Sequence, residues 1–361
     1  MKKNKVQISE TSNEVKDIPT KKKLKTSTKV IMAILIVIVI CIACGFGYVY
    51  LKLSKVHYSA IDKDDLEVNK EIYTEVAAAI PEIHSESEFK SVKTVVFFGI
   101  DTKEVVSGYS GRSDTIVIVS INPMTKGISL VSIPRDTYVN ISGYGKDKIN
   151  HAYAFGNEQL AIKTINSNFG LNITEYVTID FVGLIHVINK LGGVQLNITN
   201  EELGYINQRS TGSYAMTGNK VSKLVSSGLV TLSGEQALTH SRNRTVGNDF
   251  DRAGRQRMVL EALITKISLL STDGILGISD SILSEVKTNI NVTEYMGILS
   301  SVISEKNTYL KNMVSAQVPA AEYSLGKYIN GVYYFTTDYV KAKSDFVKYI
   351  YGNWFVLYVM I

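Results

Sequence analysis

The sequence predicts an α/β fold, a central mixed β-sheet sandwiched by helices on both faces, preceded by one transmembrane helix. Three observations predict it. Between residues 92 and 270, short β-branched apolar runs alternate with segments of helical spacing, the order that layers helices over a sheet. Composition is that of a folded chain, 45% hydrophobic and 20% charged, with only 5 Pro in 361 residues, ample to bury a large core. The 22 residues from Val30 to Leu51 carry no charge. As a helix they would span about 33 Å, enough for a bilayer core of about 30 Å.

Four segments follow from this. Residues 1–29 form a Lys-rich tail with nine Lys against Glu10, Glu14 and Asp17. Residues 30–51 form the spanning helix, and the Lys21-Lys22-Lys23-Leu24-Lys25 run before it marks the cytoplasmic side. The apolar run is too long for a cleaved signal peptide. Residues 52–91, polar, acid-rich and weakly patterned, read as an extracellular stalk, with a helix expected at Glu71–Ile80. Residues 92–361 form the outer domain. Cys41 and Cys44 both lie in the span, so no disulfide holds the outer domain. The chain carries +5 overall and the tail +6, so the other 332 residues sum to about −1, which argues against a nucleic-acid binder.

Within the outer domain, Val92–Ile100 (VKTVVFFGI) reads as a buried strand. Thr115–Ile121 and Gly127–Ile133 read as a hairpin joined by Asn122-Pro123-Met124-Thr125-Lys126. Asn157–Phe169 has helical spacing and stops at Gly170. Thr174–Ile179 is a strand, after which Asp180 caps a helix that ends before Gly192-Gly193. Val194–Ile198 is another strand. Ser233 and Gln236 make a capping box for a short helix to His240. A long helix covers Phe250–Leu270.

Arginine placement carries the chemistry. The chain has 31 Lys and eight Arg, and all eight Arg fall between Arg112 and Arg257. Five of them, Arg242, Arg244, Arg252, Arg255 and Arg257, occupy sixteen residues. A chain that uses Lys for generic charge chooses Arg where a planar fork of donors is needed, as for phosphate oxygens. A solvated helix face suits Arg255 and Arg257 but not Arg242 and Arg244. Asp101 follows one apolar strand and Asp114 precedes the next. On neighbouring strands, the two carboxylates would emerge at one end of the sheet and suit a Mg²⁺ ion that also binds phosphate. Turn capping is the plainer role for either. The five His show no zinc spacing, and neither a Gly-x-Ser-x-Gly elbow nor a phosphate loop is present.

Several stretches together resemble the LytR-CpsA-Psr family of Gram-positive cell-wall polymer ligases. They are FFGID at 97–101, GRSDTIVIVSINP at 111–123, SIPRDTYVNI at 132–141 and GYGKDKINHAYAFG at 143–156. LGGVQLNI at 191–198, LSGEQALTHSRNR at 232–244 and DFDRAGRQRMVLEAL at 249–263 complete the set. The motif core covers 92–270. The resemblance implies an enzyme that moves a glycopolymer, teichoic acid or capsular polysaccharide, from a polyprenyl-pyrophosphate carrier onto peptidoglycan. It implies metal-associated acids at Asp101 and Asp114, with Mg²⁺ or Mn²⁺ as cofactor. It implies lipid-pyrophosphate contacts at Arg112, Arg135, Arg242, Arg244, Arg252 and Gln256, with Asp136 in the same catalytic motif as Arg135. Ser241 and Asp251 depart from the family pattern. It further implies a type II single-pass protein in the cell membrane with its catalytic domain outside. A pyrophosphatase acting on the same lipid and a non-enzymatic envelope regulator are the alternatives. Gly183, Leu184, Val187 and Ile188, at helical spacing, could line the lipid cavity or fill the core.

Overall fold

The strand Lys93–Ile100 turns Val96, Phe98 and Ile100 to one side and Phe97 to the other, and two hydrophobic cores grow from that alternation. The structure is a computed structural model. It describes residues 57–80, 83–101, 111–210, 217, 221–247, 249–271, 274, 282–291, 298 and 300–352. All of these belong to the unit Lys52–Ile361. The Lys-rich tail and the apolar run Val30–Leu51 lie outside the described residues. Among the described residues, no helix is long and apolar enough to cross a membrane.

In chain order the elements are β1 (His57–Tyr58), α1 (Ile72–Ala79), α2 (Glu86–Ser91), β2 (Lys93–Ile100), β3 (Ser113–Asn122), β4 (Gly127–Ser132), β5 (Tyr138–Ile141) and β6 (Gly145–Lys148). There follow α3 (Ile149–Phe169), β7 (Tyr176–Asp180), α4 (Phe181–Lys190), β8 (Val194–Ile198), α5 (Asn200–Arg209), β9 (Gly228–Leu232), α6 (Gly234–Ser241) and α7 (Asp249–Ser268). The last are β10 (Val286–Thr288), α8 (Lys306–Lys311), β11 (Met313–Gln317), β12 (Ser324–Ile329), β13 (Val332–Thr337) and α9 (Tyr339–Tyr351). Among the described residues a seven-stranded sheet runs β1-β10-β7-β2-β3-β4-β11. It is mixed: β2 pairs antiparallel with β3 and parallel with β7, and β4 pairs antiparallel with β3 and parallel with β11.

On one face, Val96, Phe98, Ile116, Ile118 and Val131 meet Ile162 and Ile165 of α3 and Phe346 and Ile350 of α9. On the other, Phe97 and Ile179 meet Val187 and Ile188 of α4, Ala237 of α6, and Val259 and Leu263 of α7. Helices on both faces of a mixed sheet are the architecture the alternating pattern predicts.

Three details differ from the sequence reading. Residues 57–80 and 83–91 are part of the globular unit and not a stalk: β1 pairs with β10, and Leu66, Ile72, Val76, Ile80, Ile83 and Phe89 lie in the first core. Phe89 stacks on Tyr351 at 5.1 Å. Apolar residues here are sparse, which hides them from a periodicity test, yet the aliphatic residues Leu66, Ile72, Val76, Ile80 and Ile83 are all buried. Helix α3 begins at Ile149, ahead of the expected start at Asn157, and is interrupted at Gly156 and Asn157 (φ 51°), where the sequence reading placed its beginning. Strand β8 leaves the central sheet and pairs with β9, after the turn that Gly192 and Gly193 make at φ 76° and 89°.

Leu66 is fully buried, so Leu66→Ala is expected to cost about 2–5 kcal/mol in chemical denaturation. A stalk would give a shift near zero.

Candidate functional site

The register between β2 and β3 slips between Gly99 and Ile100, leaving Asp114 as the extra residue of a bulge. A bulge re-aims one side chain at a strand end. Here it does so beside Asp101, whose backbone N–H donates to the Arg112 carbonyl at 3.1 Å. Asp101 Oδ1 accepts from the Arg112 N–H at 2.7 Å. The two carboxylates therefore lie at the same end of neighbouring strands.

After β4, the chain makes a tight turn in which the Thr137 hydroxyl donates to the Pro134 carbonyl at 2.6 Å. That turn aims Arg135 back across the sheet end, where Nη1 donates to Asp114 Oδ1 at 2.7 Å. Asp136 points into the protein and is 4% exposed. Its Oδ1 lies 2.6 Å from Lys148 Nζ, and its Oδ2 lies 3.4 Å from Arg135 Nε and 3.9 Å from Arg252 Nη2. Gln256, one turn past Arg252 on α7, donates to the Asp114 carbonyl at 3.2 Å. One buried carboxylate thus ties the turn, β6 and α7 together.

Helix α6 opens with the expected capping box of Ser233 and Gln236. Gly234 packs on α4 so closely that a Cβ would sit 2.4 Å from the Ile185 carbonyl oxygen, which fixes where the helix ends. Past that end Arg242 and Arg244 are exposed, while Asn243 between them is fully buried. Asn243 Oδ1 accepts from the N–H groups of Thr245 (2.9 Å) and Val246 (3.3 Å), an Asx turn. Arg255 clamps the turn from α7, donating to the carbonyls of Asn243 at 2.8 Å and Val246 at 2.7 Å, with Glu202 at 3.4 Å. The Arg242 guanidinium stands 4.7 Å over the Phe181 ring.

A cleft of about 320 Å³ lies between the second face of the sheet and α4, α6 and α7. Its deep wall is apolar, with Phe97, Ile179, Leu184, Leu238, Val259 and Leu263. Arg209, Arg242, Arg244, Arg252 and Gln256 contribute its polar part with the carboxylates of Asp114, Asp180 and Glu235, of which Asp180 accepts from the Gly183 N–H and Glu235 from the Thr217 N–H. Of the residues expected from sequence, Asp114, Arg242, Arg244, Arg252 and Gln256 meet in this cleft. Arg135 and Asp136 stand behind it, bonded to Asp114 and close to Arg252. Asp101 and Arg112 are exposed at the sheet end, outside the cleft wall.

Sequence reasoning missed Tyr205 and Arg209 at the end of α5, although Arg209 belongs to the confined arginine set. It also misplaced two arginines. Arg255, expected on a solvated face, is 5% exposed and holds the turn. Arg257 donates to Ser315 Oγ at 3.1 Å and to Ser132 Oγ, and burial lowers its pKa. Of the stripe Gly183, Leu184, Val187 and Ile188, only Leu184 lines the cleft; Val187 and Ile188 are core.

The acids fit a hard divalent ion. Asp101 and Asp114 each have one oxygen held by the protein, and carboxylate oxygen is the donor that Mg²⁺ takes once or twice before completing its shell with phosphate and water. Among the described residues no larger cluster of His, Cys, Asp and Glu occurs.

Residues 47–347 match the profile of the LytR_cpsA_psr family. A polyisoprenyl-teichoic acid–peptidoglycan teichoic acid transferase of Enterococcus faecalis, TagU, is 38% identical over 202 residues, covering 55% of this chain and 61% of that one. TagT of Bacillus subtilis, a protein of the same description, is 30% identical over 283 residues, 76% of this chain and 82% of the relative. A solved structure of a LytR-CPS2A-psr family protein, YwtF (TagT) with bound octaprenyl pyrophosphate lipid, superposes with a TM-score of 0.53 at 26% identity. That superposition covers 74% of this chain and 93% of the other.

Arg255→Lys keeps the charge and loses the fork, so denaturation should register a loss of about 2 kcal/mol. A solvated residue would give no change. Fully buried His240 supplies a pH test. Burial pushes its pKa from 6.5 down to about 4, so it stays neutral although Glu202 lies 3.8 Å away. Between those values the unfolded chain binds a proton that the folded chain does not, so stability should fall as pH drops from 6.5 toward 4. His240→Leu should flatten that slope in thermal melts; an unchanged slope would assign it to other groups.

Proposed function

Because this chain belongs to the LytR-CpsA-Psr family, we propose that it is a phosphotransferase moving a glycopolymer of teichoic-acid or capsule type from a polyprenyl-pyrophosphate carrier to a hydroxyl of peptidoglycan. One observation carries the reading: a single cleft joins an apolar wall to a cluster of arginines. A prenyl chain needs the first and a pyrophosphate the second, and few other ligands need both. We further propose that residues 30–51 anchor the chain in the cell membrane as a type II protein, with the domain outside.

The acceptor hydroxyl oxygen attacks the phosphorus bonded to the glycopolymer. A new O–P bond forms, the bond from that phosphorus to the bridging oxygen breaks, and polyprenyl phosphate leaves with the electron pair. Negative charge grows on the phosphoryl oxygens and on the leaving group. Arg242, Arg244 and Arg252 stabilise it with forked donors that are already in place before the reaction. Arg135 holds Asp114, and Asp136 holds Arg135 and Arg252 in position. Both oxygens of Asp136 face cations, so that carboxylate serves to position Arg135 and Arg252, while the hydroxyl proton passes to another carboxylate or to water. Asp101 and Asp114 would hold a Mg²⁺ or Mn²⁺ ion, and such an ion supplies further neutralisation of the pyrophosphate.

The decisive assay combines purified protein, lipid-linked glycopolymer and peptidoglycan. Labelled polymer is expected on the peptidoglycan, with one polyprenyl phosphate released per transfer. Release of polyprenyl phosphate without attachment would make the protein a hydrolase. In the same assay Arg244→Lys is expected to lose roughly ten-fold or more in lipid affinity, since a charge-assisted contact contributes about 1.5–3 kcal/mol. Asp114→Asn should lower turnover and be partly rescued by excess Mg²⁺; full activity in chelator would remove the metal from the account.

A further inference from the structure

The hairpin of β12 and β13 projects an aromatic ladder that the donor cleft does not use. On one face of the hairpin, Tyr328 lies 5.4 Å from Tyr333, and Tyr333 lies 5.4 Å from Phe335. Phe335 in turn packs at 4.6 Å on Phe250 of α7. The outer rung is open, with Tyr328 72% exposed, while Phe335 at the inner rung is 5% exposed. The ladder therefore runs from solvent to the start of the helix that carries Arg252, two residues past Phe250.

The hairpin is fixed to the catalytic turn as well. The Phe335 N–H donates to the Asp136 carbonyl at 2.9 Å, and Thr137 bridges to Phe335. Gly326 is the gap the ladder needs, because a Cβ there would meet the Tyr333 ring at 2.9 Å. Across residues 324–337 the single charged side chain is Lys327, and no carboxylate is present.

Exposed Tyr328 gains little from burial, yet half-buried Tyr333 and buried Phe335 behind it hold its ring in a fixed stack that leads to the catalytic turn. We propose that this face of the hairpin is the acceptor platform, on which the glycan strand of peptidoglycan stacks the C–H faces of its pyranose rings. The inference rests on the transfer reaction above. The chemistry favours a glycan. Tyrosine offers both a ring face for sugar C–H groups and a hydroxyl for sugar oxygens. Lys327, paired with Tyr334, lies on the opposite face, so the ladder face itself carries no charged side chain and suits the uncharged C–H face of a sugar ring. The direction of the ladder, from solvent to the turn bearing Arg135 and Asp136, brings such a strand toward the polar part of the cleft from outside, leaving the apolar wall to the lipid.

The test sediments full-length protein in detergent micelles with peptidoglycan sacculi stripped of teichoic acid. Tyr328→Ala should weaken sacculus binding roughly ten-fold, the effect of losing one interface hot spot, and Tyr328→Trp should retain it. Binding of octaprenyl pyrophosphate should be equal in wild type and both variants. Failure of the wild type to bind that lipid would count against the donor reading, a result separate from the sacculus comparison. Wild-type sedimentation of Tyr328→Ala would overturn the platform. So would a loss of binding to anionic lipid vesicles with sacculus binding intact, which would make the ladder a membrane contact.

Discussion

The site depends on one buried carboxylate. Asp136, 4% exposed, stands among Lys148, Arg135 and Arg252, which arrive on β6, on the turn after β4, and on α7. A lone buried charge would cost several kcal/mol, and so would any of these cations drawn in without it. Together they fix the distance between the sheet end and α7, and with it the placing of Arg252 and Gln256 against Asp114. The arrangement leaves the polar part of the cleft rich in donors before any anion enters. That is the condition for stabilising phosphoryl charge without reorganising the protein during the reaction.

A second clamp serves the other arginines. Arg255 spends its donors on the carbonyls of Asn243 and Val246, so the turn after α6 is held by a guanidinium that never meets the ligand. Burying Asn243 leaves Arg242 and Arg244 on its two flanks, both against the cleft. Five arginines in sixteen residues are thus not one patch. Arg242, Arg244 and Arg252 line the cleft, Arg255 shapes the turn, and Arg257 ties α7 to β4 and β11.

How far the sequence could be read follows from what each feature looks like locally. Strands β2, β3 and β4 were legible because they are continuous apolar runs, and α4 and α6 because Asp180 and Ser233 announce their starts. The arginines were legible as a set, since the chain elsewhere uses Lys. What stayed hidden was tertiary. Leu66, Val76 and Phe89 are core residues in a polar stretch; the helix expected at 71–80 and the Ser85–Glu88 capping box are local signals, but that these segments pack into the core is decided by tertiary contacts. Arg255 and Arg244 are the same residue type eleven positions apart, and only packing separates a clamp from a residue open to the cleft. Helix α3 was half seen, its expected start falling at the left-handed Asn157 that interrupts it. Arg209 shares the confined placement of the arginines, but nothing local on α5 brings it to the cleft.

The central claim is that one cleft holds both the lipid and its pyrophosphate. A crystal structure of this protein with octaprenyl pyrophosphate tests it most directly. The account predicts the prenyl chain along Phe97, Leu184 and Leu263, with the pyrophosphate oxygens within hydrogen-bond distance of Arg242, Arg244 and Arg252. A pyrophosphate bound away from those three arginines, or a prenyl chain outside that apolar wall, would contradict it.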